Sequence, residues 1–221
     1  MAYIGKIPAA AALTADDITD GIISNAKLAQ DIISGDTALA ATPADTDEFL
    51  VSDAGTLKRV DYSYIKGGGI TQASQWRLTT SFTGGASPIS SNWEETDNKY
   101  SRIGDAFSES SGIFTFPETG IYLITFQGRN NYNGAYAYYE VIINGSDDNF
   151  SSSNIIAGNT TSNAGGANRY SGAFTTALFD VTNTSNDKVS FRIATDQSSV
   201  TTAGDTTSTM TGATFIRLGD T

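Results

Sequence analysis

The feature that most constrains the fold is a series of short β-strand segments after Gly69, separated by turn residues rather than by strong helical patterns. The clearest alternation is Val189-Ser-Phe191-Arg-Ile193, which places three apolar side chains on one strand face. Asn144-Gly145 is a strong turn signal. The pattern predicts strands at 75–82, 99–107, 113–116, 120–129, 136–144, 154–157, 169–181, 188–195 and 209–218. Such regularly spaced strands predict a mainly β fold, an antiparallel β-sandwich or jelly roll.

Aromatic residues divide the chain into two parts. Residues 1–69 contain four of them, and the other 19 follow Gly69. Because aromatic side chains dominate core burial, the sequence predicts a head domain at 75–221. The three glycines of the Lys66–Gly69 stretch predict a flexible linker at 67–74, which leaves 1–66 as an elongated N-terminal segment.

The N-terminal segment has two recognisable elements. A short helix is predicted from Thr14, with acidic residues in its first turn and a thin apolar stripe formed by Ile18, Ile22, Ala26, Ala29 and Ile33. A small β unit is predicted at 46–65, as two strands around Asp53-Ala-Gly55 with buried positions Phe49, Val51, Leu57 and Val60. So thin an apolar stripe cannot form a globular core, so copies of the chain or a partner must cover it.

Composition excludes several classes of function. The net charge is −11 and no basic stripe exists, so nucleic acid and anionic membrane surfaces are not expected partners. No apolar run approaches the roughly 20 residues that span a bilayer, so we expect no membrane insertion, and the first residues do not resemble a signal peptide. The chain has no cysteine and no histidine, which removes thiol nucleophiles and the commonest general base and metal ligand.

The acidic residues do not form a catalytic pair. Glu94-Glu95 and Asp147-Asp148 are adjacent in sequence, and adjacent residues on a strand point to opposite faces. We therefore predict no enzyme activity, no cofactor and no catalytic residue. Calcium remains open as a ligand of the acidic loops near Asp147, Asp148 or Asp205, although no EF-hand spacing occurs and no metal site is predicted.

One predicted strand has apolar residues on both faces. In residues 120–129, Tyr122, Ile124 and Phe126 share one face, and Ile121 and Leu123 share the other. Two interpretations remain open: loose patterning around one internal core, or an interface with another subunit. We predict the second, with the trimer-interface candidates Tyr122, Ile124, Phe126, Tyr138, Tyr139 and Phe215.

The stretch FSESSGIFTFPETGIYLITFQ, residues 107–127, resembles the signature of the complement-component-one-q globular head in the tumour-necrosis-factor-like superfamily. The matching residues are Gly112, Phe114, Phe116, Pro117, Gly120, Tyr122 and Phe126. VIINGS, TSNDKVSFRI and STMTGATFIRL resemble later family motifs in the same order. The resemblance implies a ten-stranded jelly roll that packs as a homotrimer.

The N-terminal segment resembles a different group of proteins. The connector from Asp20 to Ala29 and the unit from Thr46 to Asp53 resemble the proximal regions of bacteriophage tail-fibre and appendage proteins. This resemblance implies a trimeric stem that attaches to the tail or to another virion protein, and it implies a virion location.

Two loop segments combine Asn, Arg, Tyr and Gly, which suits recognition by loops of a sandwich. We predict the receptor-contact candidates Asn131, Tyr132, Asn133, Tyr136, Asn168, Arg169 and Tyr170. The whole chain is predicted to be a homotrimeric phage fibre protein whose head binds a host surface receptor, either glycan or protein. A structural virion component that bridges appendages without touching the host is the alternative, and a glycan-cleaving enzyme comes third.

Overall fold

The computed structural model describes residues 14, 16, 19, 37–66, 68–164 and 166–221. The chain divides into two units, Met1–Gly67 and Gly68–Thr221, and each is considered by itself. The predicted helix, with its stripe from Ile18 to Ile33, lies outside the described residues.

The first unit contains a two-stranded antiparallel hairpin. Strand β1, Glu48–Asp53, pairs with strand β2, Thr56–Asp61, and helix α1, Tyr62–Ile65, follows. The two loop residues, Ala54 and Gly55, both have positive φ (49° and 85°), as a tight hairpin turn requires. The predicted small β unit is therefore confirmed.

The predicted buried positions of this hairpin are wrong. Phe49, Val51 and Leu57 are exposed, and only Val60 is partly covered. Phe49 pairs with Val60, whereas Leu57 pairs with Ser52 and therefore lies on the opposite face. A two-stranded sheet has no second layer to cover either face.

The second unit is a sandwich of two antiparallel sheets. Its strands are β3 (Ala73–Leu78), β4 (Phe82–Thr83), β5 (Trp93–Glu95), β6 (Ser108–Ser110), β7 (Ile113–Thr115), β8 (Gly120–Tyr132), β9 (Tyr136–Ser146), β10 (Asn154–Ala164), β11 (Arg169–Val181), β12 (Lys188–Thr195), β13 (Thr201–Thr202) and β14 (Gly212–Gly219). The five-stranded sheet has the order β10-β9-β12-β7-β6. The seven-stranded sheet has the order β4-β13-β8-β14-β3-β5, with β11 paired to the free side of β8. The predicted mainly β antiparallel sandwich is confirmed.

Some strand boundaries match the prediction and others do not. Strands β11 and β12 begin and end where the alternation predicts. The predicted strand at 99–107 is wrong, because within it only Ile103 forms an isolated bridge, to Ala73. Ala73 and Ser74, predicted to lie in the linker, belong to β3. Strand β6, with the sequence Ser-Glu-Ser, carries no apolar signal and was missed.

The core between the sheets is built from aromatic side chains. Phe114 and Phe191 of the five-stranded sheet meet edge to face, with ring centroids 5.2 Å apart and an interplanar angle of 71°. Phe191 also contacts Phe126 of β8 at 4.7 Å, and Phe215 of β14 joins the same cluster. Such edge-to-face pairs stabilise beyond their area burial, so both sheets are held by one core.

Candidate functional site

The predicted trimer-interface residues mostly face the core. Side chains without accessible surface in a single chain cannot contact a sister chain, so the prediction is wrong for five of the six. These five are Tyr122, Ile124, Phe126, Tyr139 and Phe215. Tyr138 is half-buried and lies on the outer side of β9, between the buried Ala137 and Tyr139. The alternation was read correctly, but the two faces were exchanged, because one strand's pattern does not say which face is internal.

The opposite face of the same strand carries a separate apolar row. Leu123 of β8 lies between its two strand partners, Leu178 of β11 and Ile216 of β14. Leu178 is 67% exposed, and the other two are half-buried. These three residues form what we call the apolar row. The next row along the sheet is polar and consists of Thr176, Thr125, Thr214 and Gln75.

Between Ala173 and Leu178, strand β11 has an inverted distribution of side-chain size. The small residues Ala173, Thr175 and Ala177 face the core, whereas Phe174 and Leu178 point outward and are 52% and 67% exposed. A sandwich normally buries its large apolar side chains and exposes the small or polar ones. Large residues alternate with small ones in RYSGAFTTALFDV, a signal that did not enter the prediction of the interface.

The predicted receptor-contact residues meet at one end of the sandwich. Tyr132 pairs with Arg169, and Asn131 pairs with Tyr170, where β8 and β11 meet. Tyr136 pairs with Ala164 at the start of β9. The remaining candidates, Asn133 and Asn168, lie in the connecting segments at this end, where Asn168 has a positive φ of 54°. The topology thus brings both predicted loops together.

These residues do not form one surface. Tyr132 is 9% exposed and belongs to the core cluster. Tyr136, 54% exposed, lies on the outer side of the five-stranded sheet, because the adjacent Ala137 is buried. Tyr170, 60% exposed, lies on the outer side of the seven-stranded sheet. Only a subset of the candidates can therefore contact one ligand.

A groove of about 460 Å³ lies beside Tyr170 on the outer face of the seven-stranded sheet. The guanidinium of Arg129 lies over the Tyr170 ring, 4.8 Å from its centroid. Gly172 lies on this outer face and contributes no side chain to the groove. Its lining residues are Gln127, Gly128, Arg129, Tyr170, Ser171, Gly172, Ala173, Phe174 and Met210. Of these, only Tyr170 is a predicted receptor-contact candidate, and Arg129 begins the first predicted recognition segment.

Buried polar side chains hold this end of the sandwich together. The Asn163 amide of β10 donates to Oδ1 of Asn130, and Asn130 Nδ2 donates to Ser171 Oγ at 3.0 Å. Asn130 has no exposed surface. Since the network joins β8, β10 and β11, it fixes the strands that carry Arg129 and Tyr170. Burial also raises the pKa of the nearby Tyr139 phenol, which keeps it neutral.

The adjacent carboxylates of β5 are occupied by arginines. Glu94 accepts hydrogen bonds from Arg77 Nε and Nη2 at 3.1 and 2.9 Å. Glu95 accepts from Arg102 Nη1 at 2.6 Å and from Ser74 Oγ at 2.8 Å. The two carboxylates thus serve different ion pairs and do not face a common substrate position.

The acidic loop residues considered for calcium serve as turn acceptors. The Ser152 hydroxyl and N–H, together with the Ser146 hydroxyl, hold the pKa of Asp148 below its usual range. The Thr207 hydroxyl and N–H do the same for the pKa of Asp205. Among the residues that the structure describes, no group of three or more acidic side chains is close enough to hold a metal ion.

Comparison with known proteins identifies the fold of the head. No protein-family model matches the sequence, and no curated protein sequence matches it. The structure of Eiger TNF from S. frugiperda is similar over 69% of this chain and 96% of that chain, with 9% identity and a TM-score of 0.50. Murine APRIL at pH 5.0 is similar over 66% of this chain and 98% of that chain, with 11% identity and a TM-score of 0.47.

The similarity to Eiger supports a tumour-necrosis-factor-like jelly-roll fold for the head. At this identity it shows the fold alone. No helix in the described part of the chain is long and apolar enough to span a membrane. The phage resemblance of the N-terminal segment stays a prediction.

Proposed function

We propose that this protein is a homotrimeric fibre protein of a phage virion, whose N-terminal segment attaches to the tail or another virion component. Its head binds a receptor on the host cell surface. The resemblance of the N-terminal segment to tail-fibre proteins and the jelly-roll fold of the head support this proposal. The binding role also fits carboxylates that are engaged in ion pairs and turns.

The observation that carries the proposal is the apolar row, with Leu178 of β11 at its edge. Leu178 is exposed in the single chain beside Leu123 and Ile216, while the adjacent Ala177 occupies the core. Burial of apolar surface is favourable by about 25 cal/mol per Å², so this outward row favours a covering partner. A sister chain meets this requirement because a closed three-fold ring gives every copy two neighbours.

The hairpin of the first unit requires the same kind of partner. Leu50 and Leu57 are exposed on one face, and Phe49 and Val51 on the other. An isolated two-stranded hairpin is only marginally stable in water. Two apolar faces on one thin unit match the two neighbours that each copy has in a trimer.

Assembly is tested by sedimentation velocity on the full-length protein. The expected species has three times the chain mass of 23.2 kDa. Leu178→Glu places a charge in the apolar row and should shift the population towards single chains. Ile155→Glu is the matched control, because Ile155 is 60% exposed on β10 of the other sheet. A wild-type protein that sediments as a single chain would overturn the trimer.

Receptor binding is tested with fluorescently labelled full-length protein on the bacterial strain that the virus infects. Saturable binding, and competition by unlabelled protein for phage adsorption, are the expected results. Antibody labelling of virions should place the protein on an outer appendage. If the antibody labels virions but the protein neither binds cells nor competes with phage adsorption, the receptor role is rejected. The protein would then be a structural virion component that bridges appendages.

A further inference from the structure

The groove beside Tyr170 has the chemistry of a ligand site. We infer that it binds a sugar unit carrying a single carboxylate. The inference rests on the proposed receptor-binding function in one respect, since it names the chemical class of the receptor. Four side chains of the groove would contact the sugar: Gln127, Arg129, Tyr170 and Phe174.

Arg129 supplies an unused cation. No carboxylate of residues 37–66, 68–164 or 166–221 lies within ion-pair distance of its guanidinium. By contrast, four other described arginines have carboxylate partners: Arg59, Arg77, Arg102 and Arg217. The side-chain hydrogen bond of Arg129 goes instead to the thioether of Met210, with Nη1 3.0 Å from Sδ. A thioether is a weak acceptor, whereas a carboxylate forms charge-assisted, often bidentate bonds with a guanidinium.

The Arg129 guanidinium is already positioned for such a ligand. The guanidinium carbon lies 4.8 Å from the centroid of the Tyr170 ring. The backbone N–H of Arg129 donates a hydrogen bond to Thr211 Oγ1 at 3.2 Å. The ring restricts the guanidinium plane while leaving its edge donors available. Less side-chain entropy is therefore lost when a carboxylate binds.

The remainder of the groove suits a flat, partly apolar ring. Tyr170 and Phe174 are both more than half exposed, and Gly172 lies between them on the same side of β11. A glycine here keeps the floor flat, since a Cβ would occupy the space above it. The C–H faces of a pyranose pack against aromatic rings, and the Gln127 amide, which donates to Thr209 O at 2.9 Å, retains its carbonyl oxygen for a hydroxyl group.

Charge and backbone geometry argue against other ligand classes. The chain carries a net charge of −11, and among the described residues Arg129 is the one cationic residue that lines the groove. A polyphosphate or a dense polyanion would meet net repulsion at long range. A peptide bound as an added strand requires free backbone groups, whereas β8 and β11 pair with each other along the groove.

The experiment measures binding of galacturonic acid to the full-length protein by saturation-transfer NMR, with galactose as the neutral control. We expect the acid to bind about tenfold more tightly than the neutral sugar, the size of one charge-assisted contact. Arg129→Gln should remove this preference, and Tyr170→Ala should weaken both sugars by about tenfold. Circular dichroism and sedimentation establish that each variant keeps its fold and assembly.

Two matched variants report on specificity. Arg192→Gln removes a partly exposed arginine of β12 in the other sheet, and Tyr136→Ala removes a tyrosine of similar exposure at the same end of the sandwich. Neither should change sugar binding. Equal affinity for the acid and the neutral sugar would overturn the inference, and so would an Arg129→Gln variant that keeps the preference.

Two further outcomes separate this inference from the proposed function. If cells bind the wild type and the groove variants equally well, the ligand assignment fails and the receptor role stands. If the acid binds the groove while cells do not bind the protein, the receptor role fails and the site stands. Cross-linking of Tyr170 on one chain to Tyr170 on another would show a sister chain in the groove and would overturn the inference.

Discussion

The two faces of the seven-stranded sheet differ in a way that separates folding from assembly. The inner face carries Tyr122, Ile124, Phe126 and Phe215, none of which has accessible surface. The outer face carries the apolar row, a polar row and the groove in succession along the same strands. The inner residues are therefore accounted for by the core of one chain, whereas the outer ones require something that a single chain does not provide.

The difference teaches that apolar character alone does not identify a core. Strand β8 has apolar residues on both faces, and strand β11 places its larger side chains outward between Ala173 and Leu178. Burial within the chain follows from which face meets the five-stranded sheet. Substitutions on the inner face should therefore change the stability of the single chain, whereas substitutions on the outer face should change assembly or ligand binding.

The largest effect is expected for Phe126→Ala, on the inner face. Removing a fully buried Phe should lower the free energy of unfolding by about 3–5 kcal/mol. Phe174→Ala, on the outer face of the same sheet, should change it by less than about 1 kcal/mol. Urea unfolding measures both in a Leu178→Glu background, in which single chains are expected to predominate. Comparable losses at the two positions would break the comparison.

Arg77 is the exception on the outer face. It alternates with the inward residues Trp76 and Leu78, yet it is only 1% exposed and pairs with Glu94 and Asp97. Glu94→Gln combined with Asp97→Asn leaves a buried cation without a carboxylate. Because water reaches both carboxylates, we expect a loss of about 1–3 kcal/mol by urea unfolding, less than for a fully buried pair.

A control for Arg77 is available in the exposed ion pair between Asp53 and Lys58. Asp53→Asn should change stability by no more than about 0.5 kcal/mol. If the double variant at Glu94 and Asp97 loses no more stability than Asp53→Asn, then water reaches the Arg77 guanidinium, and the outer face near β5 is accessible to solvent.

Tyr122 gives the inner face a pH signature. Burial, and secondarily the Glu118 carboxylate, raises the pKa of Tyr122 to about 12. Below pH 10 the phenol is neutral in both folded and unfolded chains, so its contribution to the free energy of unfolding is fully present. Between about pH 10 and 12 only the unfolded chain ionises, so the free energy of unfolding falls by up to about 1.4 kcal/mol per pH unit.

Tyr122→Phe removes this ionisation and should make the pH dependence shallower in the same range. The variant also loses the hydrogen bond from the Tyr122 hydroxyl to the Glu118 carbonyl, so its stability at pH 7 should be about 1 kcal/mol lower. Urea titrations at intervals between pH 8 and 12 separate the two effects. An unchanged slope in the variant would mean that Tyr122 is not sealed in the core.

The sequence predicted the architecture better than the surface. Alternation located β11 and β12 to the residue, because their paired neighbours enforce a strict period of two. The strand predicted at 99–107 was wrong because the backbone is not extended there: Lys99 and Gly104 have positive φ angles of 52° and 76°. Similarly, Ser108–Ser110 forms a strand through pairing with β7 alone, without an apolar signal.

The site was harder to predict because it depends on partners distant in sequence. Tyr170 lies in a segment whose Asn, Arg, Tyr and Gly residues suit recognition, and it was predicted on that basis. Arg129 acquires its role only when β8 and β11 pair and place it over the Tyr170 ring. The exchange of the two faces of β8 has the same origin, since the inner face is defined by the second sheet rather than by the strand.

The smallest effect on folding, and the sharpest test of where the covered surface ends, is expected for Thr125→Val. Thr125 is half-buried in the polar row, between the apolar row and the groove. Thr and Val have similar shape and strand preference, so the free energy of unfolding should change by less than about 0.5 kcal/mol. If sister chains cover only the apolar row, the dissociation constant of the trimer should also stay within about threefold, as measured by analytical ultracentrifugation. A tenfold lower dissociation constant would mean that the polar row is buried away from water in the assembly. The sister chain would then extend towards Arg129, leaving less room for a sugar in the groove.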